Sequence, residues 1–77
     1  MATFMIWGRV EQVEEDCFMV VASAVTPNGD GPGTSTVVLS ERAHDEDEAR
    51  GALQRLVLRL DARVKAGGDT VSSIDLQ

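Results

Sequence analysis

A 77-residue chain with a formal net charge of −6 and a sequence pI near 4.5 is poorly suited to phosphate backbones or anionic lipid surfaces. Its three aromatic residues, Phe4, Trp7 and Phe18, make a poor stacking platform for bases, and no apolar run approaches the roughly 18 residues of a membrane span. One cysteine, Cys17, and one histidine, His44, preclude an intrachain disulfide and a four-ligand zinc site drawn from one chain, so no metal or other cofactor is expected. Residues 1–77 read as one domain, and so short a chain buries only about 60% of the surface its unfolded form exposes. With disulfide and metal removed, oligomerisation is the remaining aid to stability. Met1 to Ile6 carry no basic stretch leading into an apolar one, so a cytoplasmic protein is the expectation.

Phe4 to Val13 alternates, with Phe4, Ile6 and Val10 on one side and Met5, Trp7 and Val13 on the other, the pattern of a strand. Glu15 and Asp16 punctuate the chain before Cys17 to Thr26, which is β-rich and apolar on both faces, as suits an interior strand. Pro27 to Gly33 gathers glycines, prolines, Asn28 and Asp30 into seven residues and predicts a loop. Thr34 to Ser40 is a third strand, with Val37 and Leu39 on one side and Thr34, Thr36, Val38 and Ser40 on the other. The hydroxyl-rich side tolerates water and suits a sheet edge.

A helix is predicted over Asp45 to Lys65. Asp45 and Glu48 have the spacing of a capping box, acids crowd the first turn, Arg59, Arg63 and Lys65 lie toward the last, and Gly67-Gly68 supplies a left-handed exit. Ala49, Leu53, Leu56, Val57, Leu60 and Val64 form one apolar stripe, with Leu58 off it. Thr70 to Leu76, carrying Val71, Ile74 and Leu76, completes the series as a fourth strand. The predicted fold is α+β, of order β-β-β-α-β. Two hairpins alternate direction and the helix returns the chain, which gives a mostly antiparallel four-stranded sheet of order 3-2-1-4 with the helix on one face.

One helix covers one face of such a sheet. The other retains Met5, Trp7 and Val13, joined by Met19 and its alternates or by Phe18 and Val20. An apolar patch of that extent marks an interaction surface, and Trp and Met are favoured in interface cores. The expectation is a non-enzymatic homodimer acting as a protein-interaction module, built by stacked sheet faces or paired edge strands, with Met5, Trp7, Val13 and Met19 at the interface.

Other motifs carry less. The Gly29 to Gly33 segment lacks the Gly-Lys-Ser/Thr of a P-loop and opens no helix, and the bidentate glutamate of a calcium loop is missing after Asn28, Asp30 and Thr34. No nucleophile elbow accompanies His44, and Cys17 beside Asp16 reads as a packing cysteine. Arg55, Arg59 and Arg63, at four-residue spacing, form a basic line suited to an acidic partner or an anion, or else to a solvated face balancing Glu11, Glu14 and Glu15. A small-molecule site between the Gly/Pro loop and the helix start, with His44 and Asp30 as polar contacts, is the alternative to the module.

The stretch His44-Asp45-Glu46-Asp47-Glu48-Ala49 leading into a Leu-rich helix, followed by Gly67-Gly68-Asp69-Thr70-Val71, resembles the amino-terminal domain of HicB-type antitoxins. The resemblance implies a β-β-β-α-β unit that dimerises and covers a small toxin. Leu39-Ser40-Glu41-Arg42-Ala43 stands in place of that family's Pro-Asp-Leu-Pro-Gly-like segment, and no DNA-binding helix pair follows. Autorepression is therefore not implied, and no functional residue is carried over.

Overall fold

A computed structural model describes residues 3–26 and 36–76. Strand β1 (Thr3–Glu14) is followed by β2 (Cys17–Val25), β3 (Thr36–Ala43), helix α1 (Glu46–Ala66) and β4 (Thr70–Leu76). They form one sheet in the order β3-β2-β1-β4. The β1–β2 and β2–β3 pairs are antiparallel, and β4 lies parallel to β1. A parallel neighbour needs a long crossover, and the 21 residues of α1 supply it. The α+β layout and strand order are those expected from the pattern of apolar residues.

The end of β3 differs from the sequence expectation of Ser40. Strand β3 runs on through Glu41, Arg42 and Ala43, because β2 offers Val20, Met19 and Phe18 as ladder partners for them. Polar side chains there had suggested an earlier end. The Pro27 to Gly33 loop and Thr34 lie outside the described residues.

Asp45 has extended backbone and accepts a bond from the Glu48 N–H at 2.8 Å, capping α1. The reciprocal bond of a capping box, from the Asp45 N–H to the Glu48 carboxylate, is absent among the described residues, so Asp45 acts alone. Asp45→Ala is expected to lower unfolding free energy by about 1 kcal/mol, read as a fall in denaturation midpoint at unchanged slope. At the other end Gly67 keeps a negative φ, and Gly68, at φ +85°, makes the left-handed exit.

The core fills the space between α1 and one sheet face. Phe4, Ile6, Val20, Ala22 and Ala24 from the strands meet Ala49, Ala52, Leu53, Leu56, Val57, Leu60 and Val64 from the helix. Alanines on β2 let the helix approach closely, and Gly8 does the same on β1. A Cβ built at Gly8 would stand 2.5 Å from Leu53 Cδ1. α1 touches all four strands and Val71 of β4 packs on the core, but the end of β4 stays open. Ile74 and Leu76 share ladder positions with Ile6 and Gly8, so they point to the helix side, yet both stay exposed at the β4 edge.

Candidate functional site

The ladder registers define what lies on the face that α1 leaves uncovered. Met5, Trp7, Arg9 and Glu11 of β1 stand opposite Val25, Ser23, Val21 and Met19 of β2. Those β2 residues stand opposite Thr36, Val38, Ser40 and Arg42 of β3. On the far side of β1, Ser73 and Asp75 of β4 pair with Met5 and Trp7. One row therefore crosses the sheet as Val38, Ser23, Trp7 and Asp75. Its centre is apolar with a polar surround: Arg9 reaches toward Glu11 at 3.9 Å on the same face, while Arg42 and Asp75 stand on the two outer strands.

Burial along the row is uneven. Trp7 is 38% exposed and Val38 58%, whereas Ser23 between them is 1% exposed. Ser23 is thus covered by the side chains around it, with Trp7 and Val38 on either side. Val21, Val25 and Met19 are half-buried around it, and Met5 is exposed. The alternation of β2 left open which of its apolar sides faces outward. Register decides: Phe18 and Val20 face the helix, and Met19, Val21 and Val25 face away.

Of the four residues expected at an interface, the structure brings Met5, Trp7 and Met19 to this face. Val13 is exposed, but it falls where the β1–β2 register shifts between Gln12 and Glu14, six residues and roughly 20 Å along the strand from Trp7. Val38 and Ser23 were not singled out from sequence. Both sit among hydroxyl or small residues in their own strands, and only pairing reveals that they flank each other beside the tryptophan.

The basic line is divided. Arg55 donates to Glu41 of β3 at 3.0 Å, with both side chains substantially exposed, so it is tied to the sheet edge rather than to Glu11, Glu14 or Glu15. Arg59 and Arg63 are exposed and form no ion pair among the described residues. Cys17 is half-buried at the start of β2. No three His, Cys, Asp or Glu side chains converge as a metal site among the described residues.

A cleft of about 560 Å3 opens near the start of α1, lined by Val10, Gln12, Phe18, Glu46, Arg50, Leu53 and Leu76. Leu53, which packs down on Gly8, and Leu76 at the open end of β4 form part of its wall. His44, expected in a small-molecule pocket, does not line it. Asp30 lies outside the described residues. The Gly/Pro loop joins Val25 to Thr36, whereas α1 follows Ala43 at the opposite end of β3, roughly 23 Å away along the strand. At the mouth of the observed cleft Arg50 donates to Glu46 at 2.7 Å.

No helix among the described residues is long and apolar enough to cross a membrane. Comparison with protein-family models, curated proteins and solved structures gives no match.

Proposed function

We propose that the chain is a small non-enzymatic protein-interaction module of the cytoplasm that works as a homodimer, associating through the sheet face opposite α1. The observation that supports this is the uncovered face on which Met5, Trp7, Val21, Val25 and Val38 gather around Ser23, with Met19 beyond them between Glu11 and Arg42. α1 is already committed to the other face. A second copy brings an equal patch of matching size and flatness, and two-fold pairs are the commonest closed assembly.

The dimensions set the strength. Four strands about 4.8 Å apart and some 20 Å of strand length cover roughly 400 Å2 on each copy, so a face-to-face contact buries on the order of 800 Å2 in total. That is below the standard size of specific interfaces, and a dissociation constant of micromolar or weaker is expected. Two copies of net charge −6 also repel, so added salt is expected to tighten the pair. Sedimentation across a dilution series tests this. A mass near 8.3 kDa at every concentration up to the millimolar range, with no salt dependence, would exclude the dimer.

Small-molecule binding is the second function considered, and the cleft beside Leu76 favours it, since its volume lies within the usual range for ligand sites. An apolar ligand that raises the melting temperature, and loses that effect when Leu76 becomes lysine, would support it. A HicB-like role would instead have the module cover a small partner protein. Copurification of one stoichiometric protein distinguishes that outcome from a metabolite.

A further inference from the structure

We infer that the half of β1 left unpaired beside β4, from Arg9 to Glu14, docks an extended segment of a partner protein in which basic and apolar residues alternate. The inference names a partner chemistry for the interaction module and does not depend on the sheet-face pairing. β1 has 12 residues and β4 seven, and β4 lies along β1 only from Thr3 to Gly8, where Leu76 ends the described strand. Beyond Gly8, β1 is held among the described residues by β2 alone. The Phe4 carbonyl turns toward β4 and accepts from Ser72 Oγ at 3.3 Å. In a strand with an antiparallel neighbour the backbone groups of every second residue turn the same way, so the N–H and C=O of Val10 and Gln12 face the open side. This edge offers about 20 Å of ladder without a partner.

The cleft near the start of α1 lies on the helix side of this same half-strand. Val10, Gln12 and Leu76 belong to its sheet wall, and Arg50 and Leu53 of α1 stand across from them. A strand added beside Arg9 to Glu14 therefore finds a ladder to bond and a space of about 560 Å3 for the side chains of its alternate residues. In strand addition of this kind the ladder supplies affinity and the pockets for alternate side chains supply selectivity. Val10, Phe18, Leu53 and Leu76 make most of that lining apolar, so the inward residues of the segment are apolar too.

Charge selects the outward residues. Glu11 lies 3.9 Å from Arg9, and Glu46 is paired with Arg50 at 2.7 Å. Glu14, at the end of the half-strand, and Glu15 and Asp16, in the turn after it, form no ion pair among the described residues. These unmatched carboxylates at one end of the edge favour lysine or arginine in the segment. A second copy fits poorly. A two-fold pair of these half-edges centred on Val10 would set Arg9 opposite Glu11, but it places Gln12 of the second copy beside Gly8, where Leu76 already stands. Centring the pair on Gln12 clears Leu76 and sets each Glu14 beside Val10 of the other chain. A basic segment from another protein meets neither obstacle.

The test is titration of the chain with an end-blocked six-residue peptide of alternating lysine and valine, followed by amide resonances and amide hydrogen exchange. A dissociation constant of about 10–100 μM is expected at low salt, weakening at least about fivefold near 0.5 M salt. Exchange at the Val10 and Gln12 amides slows on binding, while exchange in β3 does not. A glutamate–valine peptide, and a lysine–valine peptide N-methylated at every amide, bind at least about tenfold more weakly. Joint replacement of Glu14→Gln, Glu15→Gln and Asp16→Asn, all at exposed positions, weakens the lysine–valine peptide about three- to tenfold. Trp7→Asp, on the opposite face, binds it as the parent does. No binding up to millimolar peptide, equal binding of the N-methylated peptide, slowed exchange in β3 instead of at Val10 and Gln12, or binding lost in Trp7→Asp overturns the edge site. Sedimentation of the parent alone decides the sheet-face dimer, so either reading can fail while the other stands.

Discussion

Trp7→Asp should leave a folded chain that no longer pairs with itself. The indole occupies the centre of the uncovered face and contributes nothing to the core between sheet and helix, so its loss spares the packing of Ile6, Val20 and Leu60. Central tryptophans in interfaces are typically worth 2 kcal/mol or more when truncated, and a buried unpaired carboxylate costs further. The expected outcome is a dissociation constant raised at least about 100-fold with unchanged far-UV circular dichroism. Thermal stability should fall by the contact Trp7 makes with its own sheet face and by the mass-action contribution of the lost partner, and only the second part should grow with protein concentration. A Trp7→Asp chain that associates as tightly as its parent would remove the sheet face from consideration and direct attention to the open edge of β4.

Gly8→Val should have the largest effect on the fold itself. A Cβ at this position stands 2.5 Å from Leu53 Cδ1, and 3.4 Å from both Leu76 Cδ2 and the Val21 carbonyl oxygen. Leu53 can swing aside for one methyl, but a branched side chain forces the helix off the sheet. Overpacking of this kind costs about 3 kcal/mol, a large share of what so small a domain possesses. Equilibrium denaturation measures it. Combining Gly8→Val with Leu53→Ala should recover part of the loss, because the two sites share one space and their effects are not additive. If the double variant were destabilised by the full sum of the two singles, the contact between Gly8 and Leu53 would not be the cause.

Much of this architecture is legible from residue order. Alternation at Phe4, Ile6 and Val10, the stripe from Ala49 to Val64 and the turn formers between them suffice for the elements. Hairpin direction and the crossover then leave a short menu of strand orders. The rest depends on pairing, which no single strand encodes. Strand β2 is apolar on both sides, so its outward residues are known only from their partners on β1. Val38 reads as an isolated valine in a hydroxyl series until the ladder sets it beside Ser23. Gly8 interrupts an otherwise regular strand without any turn signal, and its purpose appears only when Leu53 is seen pressed against it. The cleft beside Leu76 has no sequence signal, because its lining comes from β1, β2, α1 and β4 together.

The parallel pairing of β1 with β4 has a consequence during synthesis. Thr3 must wait for Thr70 before its ladder can close, and the intervening 21-residue helix has to be made first. At elongation rates of about 5–20 residues per second, one flank of β1 stays open for several seconds while its other neighbour, β2, is already available and paired in turn with β3. A nascent chain thus displays Phe4, Met5 and Ile6 along an unprotected margin until residues 70–76 leave the ribosome. Slow translation beyond codon 66 should therefore promote aggregation more than a pause of equal length before codon 15.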